Sequence, residues 1–334
     1  METALALLHS RQTRAVFCVA LLGIEQLHRK KPQDREKIMN DKLIECVPNF
    51  SEGRDSRVIE AIRDSILDGG DCEIWDYSAD ADHNRSVFTL AASPEAMKET
   101  VLRFTKKAAE LIDMREHTGV HPCIGAADVI PFIPLRNTSM EECIDLSEIV
   151  GLRIANELEL PVYLYARSAK RPEHLRLADI RRGGYAALRR EIGQIPGRAP
   201  DYGPLSLGSA GGVSIGARDF LIAFNVYLDT DDVSDAKQIA RKIRTSSGGL
   251  PFLQAIGLPV NGRAQVSMNL LNYRVTSMKT VFQAIEQEAQ KLGVLPVSSE
   301  LIGMLPRAAL EGTSAEELLL YDFDSSRILE THMA

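Results

Sequence analysis

Two histidines four residues apart, His117 and His121, stand in the segment LIDMREHTGVHPCIGAADVIPFIPLRN spanning 111–137. An imidazole titrates near neutral pH and can take up or deliver a proton during a reaction. The pair does not read as a metal site. Gly119 interrupts a helical H-x-x-x-H pattern, no glutamate lies between the histidines, and no third ligand is evident. Two readings stay open for each histidine, a loop side chain bonded to backbone and a general acid/base. Gly119, Pro122 and Gly125 cannot sustain a helix, so His121 falls on a shaped loop. That loop leads from an amphipathic helix into the apolar strand Val129–Ile133, and loops on a rigid scaffold often display catalytic groups.

Other polar stretches carry paired readings as well. The run Asp76-Tyr77-Ser78-Ala79-Asp80-Ala81-Asp82-His83-Asn84-Arg85 lacks the mid-loop glycine and terminal glutamate of a calcium loop. It is either a polar hairpin turn or a place where Arg85 and Asn84 grip a carboxylate. Asn49-Phe50-Ser51-Glu52-Gly53 joins a strand to a helix start, which suits an anion or simple capping. Tyr202-Gly203-Pro204-Leu205-Ser206-Leu207-Gly208-Ser209-Ala210-Gly211-Gly212 has no G-K-[ST] signature, so it is no phosphate loop. It either lets backbone approach a flat ligand or serves as a linker. A basic run from Arg167 to Arg198 is a solvated helical face or an electrostatic guide for a polyanion.

The elements that must position these residues alternate between strands and helices. From Leu43 the order is strand, helix over 54–68, a strand pair (Cys72–Tyr77 and Ser86–Ala91), a helix from Pro94, and the strand after His121. Ser93 followed by Pro94 marks a helix start. Thr138 and Glu141 have capping-box spacing before the next helix, and Val162–Tyr165 reads as a strand. A long connection, 166–217, shows no evident structure. The order then repeats, with strands at Phe220–Leu228, Leu253–Ile256, Ala264–Leu271 and Pro296–Ile302 and helices at 231–244 and 277–292. This predicts an α/β chain of the α+β type, with two tandem ferredoxin-like βαββαβ subdomains whose mixed sheets face a common cleft.

Length and composition agree with that plan. A chain of 334 residues exceeds one ordinary core, and its 45% apolar and 25% charged content is that of a globular protein. A net charge of −7 argues against nucleic-acid binding. Five cysteines without C-x-x-C spacing read as reduced thiols in a cytoplasm. The apolar run from Ala15 to Ile24 is too short to span a bilayer and lacks a cleavage site. Residues 1–38 are therefore expected to form a poorly ordered extension, with the native start near Met39. The first subdomain with its connection is expected over 39–217, the second over 218–312, and a tail over 313–334.

Taken together, the blocks resemble the formiminotransferase family. They are Glu45-Cys46-Val47-Pro48-Asn49-Phe50-Ser51-Glu52-Gly53, Asp82-His83-Asn84-Arg85-Ser86-Val87 and Leu111-Ile112-Asp113-Met114. Then follow His121-Pro122-x-x-Gly125-Ala126-x-Asp128-Val129-x-Pro131-Phe132-Ile133-Pro134 and Pro161-Val162-Tyr163-Leu164-Tyr165. Ala199-Pro200-Asp201-Tyr202-Gly203-Pro204, Gly216-Ala217-Arg218-x-Phe220-Leu221-Ile222-Ala223-Phe224-Asn225 and Gln265-Val266-Ser267-Met268-Asn269-Leu270-Leu271 complete the set. Their shared order carries the resemblance, since no single block is specific.

The resemblance implies transfer of a formimino group from N-formimino-L-glutamate to tetrahydrofolate, a co-substrate, in histidine breakdown. It places the catalytic histidine at His121 and the folate-contacting loop at Gly203, Pro204, Leu205, Ser206, Leu207, Gly208, Ser209, Ala210, Gly211 and Gly212. On this reading one imidazole accepts the N5 proton and returns it to the departing amine. Asp128 or another nearby carboxylate orients His121 or a substrate amine, and Arg85 and Arg218 hold substrate carboxylates. A homo-oligomer, no metal and no membrane attachment are implied. The chain has no room for a fused cyclodeaminase, so a separate one is expected to take the product. Three alternatives remain: formation of 5-formyl-tetrahydrofolate from N-formylglutamate, a non-catalytic folate-binding or interaction protein, and a regulatory ferredoxin-like module binding amino acids.

Overall fold

The computed structural model describes residues 42–333. The expected extension 1–38 and the start near Met39 lie outside the described residues. The first subdomain opens with β1 (Leu43–Cys46) and β2 (Asn49–Phe50), which lie end to end between the same two neighbours. Pro48, which has no N–H to give a ladder, falls at the break. Then come α1 (Ser56–Leu67), the hairpin β3 (Cys72–Asp80) and β4 (Arg85–Ala92), α2 (Pro94–Leu111) and β5 (Ala127–Arg136). Strand order β3-β4-β1/β2-β5, antiparallel throughout, is the split βαββαβ arrangement.

Helix starts follow capping chemistry. Asp55 and Ser93 accept the free N–H groups of Arg57 and Ala96, with Pro94 at the first helical position. The capping box of α3 (Met140–Glu157) lies one residue later than its spacing suggested, using Ser139 and Glu142. Thr138 is occupied elsewhere, since its hydroxyl donates to the Leu43 carbonyl of β1 at 2.9 Å.

The connection 166–217 is built, contrary to its loop-like sequence. After β6 (Val162–Leu164) it holds α4 (Leu177–Ile180), α5 (Gly184–Glu191) and β7 (Val213–Ala217). Strand β7 inserts between β5 and β6, parallel to both, and makes this sheet mixed. Strand β7 escapes pattern reading because all five of its residues are buried, so no alternation marks it. Ile180, Leu188 and Ile192 pack on Ile124, Val129, Tyr163 and Tyr165, covering that part of the sheet.

The second subdomain repeats the plan with β8 (Ile222–Leu228), α6 (Val233–Ile243), β9 (Leu253–Val260), β10 (Arg263–Leu270), α7 (Met278–Leu292) and β11 (Pro296–Ile302). Its order β11-β8-β10-β9 is antiparallel throughout. Because side chains alternate along a strand, β8 sends Ile222, Phe224, Val226 and Leu228 to the helices. Asn225 and Tyr227 then point to the other face. In the first subdomain Phe50 meets Phe88 and Phe104 edge to face, with ring centroids 5.7 and 5.3 Å apart. Each such buried ring contributes roughly 1.5–3 kcal/mol.

The helix-free faces of the two sheets approach each other. The Asn261 N–H donates to the Asp82 carboxylate at 2.6 Å, and Arg327 comes within 3.8 Å of Asp76. Residues 313–333 strap the pair: Leu318, Leu320 and Ile328 enter the second core, and the His332 ring stacks on Trp75. Among the described residues, no helix is long and apolar enough to cross a membrane. Cys46, Cys123 and Cys143 are free thiols.

Candidate active site

The β3–β4 turn and the loop after α2 meet at the end of the cleft. Asn84 takes a positive φ of 47° in the turn, which hands Arg85 to the first position of β4. The Asn84 amide ties the surroundings together, accepting from the Gly53 N–H at 3.0 Å and donating to the Thr118 carbonyl at 3.0 Å. That use leaves Arg85, rather than Asn84, as the group able to grip a carboxylate. Gly119 is required here, because a Cβ would fall 2.3 Å from the His83 carbonyl oxygen. The loop therefore slides past the turn and delivers His121 beside it.

His121 and Arg85 are in direct contact, Nη1 to Nε2, at 2.9 Å. Arg85 is pushed down to about 10 by burial and by the neighbouring Arg181 charge, so it stays cationic at neutral pH. A cationic guanidinium only donates. The Nε2 lone pair is the acceptor, and the neutral ring carries its proton on Nδ1. Nδ1 is buried and makes no well-formed hydrogen bond, with the Pro122 carbonyl close by. Burial first, then the charges of Arg85 and Arg181, hold His121 well below its ordinary value. The imidazole is thus neutral and proton-poor.

His83 stands at 6.1 Å from the His121 ring, steeply inclined to it. Its Nδ1 lies 3.1 Å from Asp80, which also accepts the His83 backbone N–H at 2.7 Å. Burial works against the Asp80 carboxylate, but these bonds keep it below its ordinary value. The cavity at this point is lined by Ser51, His83, Arg85, His117, His121 and Asp128, among others.

Asp128 lines the same cavity. It does not hydrogen-bond His121, because its oxygens are taken by the Ile124 N–H at 2.6 Å and by the Arg181 guanidinium. These bonds tie the loop that carries His121 to Arg181. Arg218 does not line this cavity either. Its guanidinium donates to the Asp219 carbonyl at 3.0 Å, and its charge falls on Glu45 and Tyr165. The structure brings His121, Arg85 and Asp128 together and leaves Arg218 farther along the sheet.

The glycine-rich segment Gly203–Gly212 lies beside the histidine loop. The Ala126 N–H donates to the Ala210 carbonyl at 2.8 Å, and the Gly212 N–H to the Ile124 carbonyl at 3.0 Å. Close approach needs Gly125, where a Cβ would meet the Gly212 carbonyl oxygen at 2.0 Å. Leu207 and Ala210 turn inward and are buried, so only part of the segment is presented outward, with Leu205 at 61% exposure. The basic run also divides. Arg167, Lys170, Arg171 and Arg176 are ion-paired, and buried Arg198 donates to the carbonyls of Asp179, Ile180 and Arg182. Arg182, Arg189 and Arg190 stay exposed.

Four groups at this cleft were not singled out from sequence: His83, Arg181, Tyr227 and Glu300. His83 stood inside a recognised block, next to Arg85. The others lie on strands or in the connection, where no local pattern separates a cleft residue from a surface one. Among the described residues, no three His, Cys, Asp or Glu side chains gather as a metal site.

A buried neutral histidine thus stands in a cleft between paired βαββαβ units. Comparison with known proteins sharpens this. The formiminotransferase domain, N-terminal subdomain, matches residues 43–218, and the formiminotransferase domain matches 223–319. The chain is 44% identical over 295 residues to a glutamate formimidoyltransferase of Thermoplasma acidophilum, covering 87% of this chain and 97% of that one. It is 41% identical over 296 residues to the glutamate formimidoyltransferase of Streptococcus pyogenes, covering 87% and 99%. A formimidoyltransferase-cyclodeaminase of Rattus norvegicus is 42% identical over 283 residues, 82% of this chain and 52% of that one. This chain belongs to the formiminotransferase family, enzymes that transfer formimino groups.

Proposed function

We propose that this chain is a glutamate formimidoyltransferase acting in histidine degradation. It moves the formimino group of N-formimino-L-glutamate to N5 of tetrahydrofolate, with His121 as general acid/base. The observation that carries the reading is the Arg85–His121 contact of 2.9 Å at the mouth of the cleft. Arg85 occupies the lone pair that a base must use. A substrate carboxylate competes for the guanidinium, frees Nε2 and adds a negative charge that raises the basicity of His121.

The chemistry then needs a proton moved twice. N5 attacks the formimino carbon and gives its proton to Nε2; the tetrahedral intermediate collapses when that proton passes to the glutamate nitrogen. Amines leave poorly unless protonated, so the same imidazole serves both steps. Positioned proton transfer of this kind contributes typically ~10²–10⁴-fold. The outward part of Gly203–Gly212 offers backbone to the flat folate ring, and exposed Arg182, Arg189 and Arg190 attract a polyglutamate tail.

The unit divides for this purpose into the first subdomain with its connection, 39–217, and the second, 218–312, with the tail as a strap. We place the enzyme in the cytoplasm as a homo-oligomer that hands 5-formimino-tetrahydrofolate to a cyclodeaminase. Spectrophotometric turnover with N-formimino-L-glutamate and tetrahydrofolate, run beside N-formylglutamate, tests the reading. Turnover with the formimino donor is expected. Turnover with the formyl donor alone changes the reaction, and folate binding without turnover by either donor makes this a binding protein.

A further inference from the structure

The inner face of the second subdomain carries a polar cluster to which no role has yet been given. Glu300 of β11 accepts at Oε2 from the Asn225 side-chain amide at 3.2 Å and from the Tyr227 hydroxyl at 3.4 Å. Neither bond uses Oε1. Gln265 pairs across the strands with Tyr227, so the two share a face, and its amide lies beside the Tyr227 hydroxyl. Gln265 is fully buried, and neither atom of its amide has a well-formed partner. An unsatisfied buried amide is costly where an apolar side chain would be free of that cost.

The cluster faces the candidate active site. Burial raises the Glu300 carboxyl and the Asn225 bond works against that; Asp80 and His83 act on it across the cleft, and its charge acts on Arg85, the residue touching His121. Asp128 is spent on Arg181 and Asp80 on His83. Glu300, by contrast, accepts its hydrogen bonds from the neutral Asn225 amide and Tyr227 hydroxyl and, among the described residues, pairs with no cation.

The geometry points to Glu300, backed by Asn225, Tyr227 and Gln265, as the group that recognises the protonated formimino end of the donor, a planar amidinium. This rests on the function proposed above. A formimino group on an amine is a cationic N–C–N unit at neutral pH. Its paired N–H groups match a carboxylate in the way a guanidinium does. Arg85 and Arg181 repel such a cation, and Glu300 offsets them where the carbon must sit. The amidinium leaves one amine for another, R–NH–CH=NH₂⁺ and N5–H becoming R–NH₂ and N5–CH=NH₂⁺, so Glu300 accompanies the group throughout without exchanging a proton. A formyl donor is neutral and turns an oxygen toward the carboxylate. Glu300 is thereby a specificity determinant for formimino over formyl.

Glu300→Gln keeps the shape and removes the charge. The test compares kcat/KM for N-formimino-L-glutamate and N-formylglutamate in both proteins, with calorimetric titration of each donor and, separately, of tetrahydrofolate. The expected result is a fall of about tenfold or more in preference for the formimino donor, its weaker binding, and unchanged folate affinity. Equal loss with both donors and unchanged donor binding would reduce Glu300 to a structural part. Weaker folate binding with preference intact would give the cluster to the pterin's amino-pyrimidinone edge, another flat pair of N–H donors, and overturn the assignment. If the wild type turns over neither donor, the proposed function fails, and the donor titrations still decide the inference.

Discussion

Arg85 lies against His121 with its guanidinium on the Nε2 lone pair, so a permanent cation caps the group proposed as base. Removing that cation relieves only part of the depression, because burial is the larger cause. In Arg85→Gln the His121 pKa rises toward, but not to, 6.5, read from imidazole resonances by NMR. The KM for the glutamate donor rises about tenfold or more with loss of a charge-assisted bond. In the wild type, kcat/KM holds level as pH falls through 6.5, since the free enzyme's base protonates only well below that; in the variant the acid limb moves up. A wild-type limb at or above 6.5 would contradict this picture.

Asp128 couples the histidine loop to Arg181. Truncation to Ala strands a largely buried guanidinium and the Ile124 N–H, and costs about 3–5 kcal/mol. Asp128→Asn keeps an acceptor for Ile124 and loses less stability. Thermal unfolding should rank the proteins wild type, Asn, Ala, and kcat should follow the same order because the loop holding His121 loosens. A stable Ala variant would remove Asp128 from this role.

Glu45 makes stability depend on pH in an unusual direction. Burial raises it to about 7, against which the Arg218 charge only partly works. Between the unfolded value near 4.5 and the folded value near 7, the native state holds a proton that the unfolded chain has released. Stability from this group is complete below the lower value and is lost as pH rises through the upper one. The loss is on the order of 3 kcal/mol. Glu45→Gln should therefore raise the denaturation midpoint at pH 8 and change little at pH 4.5. A gain of equal size at both pH values would mean that Glu45 does not titrate this way.

Much of this molecule was legible before its structure. Helix limits followed caps such as Ser93-Pro94 and the αL Gly293, and strand pairs followed alternation, so the two βαββαβ units stood out. His121 and Arg85 were legible too, one from its punctuated loop and one from its block. Strand β7 was not, because a strand buried on both sides shows no alternation. The partnership of Asp128 with Arg181 was not legible, because 53 residues separate them in sequence, a distance that only folding closes. That Gln265 and Glu300 share a cleft was invisible for a related reason. Polar residues alternating with apolar ones on β8, β10 and β11 look like a solvent face, and only the opposing sheet makes that face a cleft.

The most direct test of the account is kcat for formimino transfer by His121→Ala, measured with and without added imidazole under saturating N-formimino-L-glutamate and tetrahydrofolate. The account expects a loss of ~10²–10⁴-fold with partial recovery by imidazole. A kcat within a few-fold of wild type would contradict it.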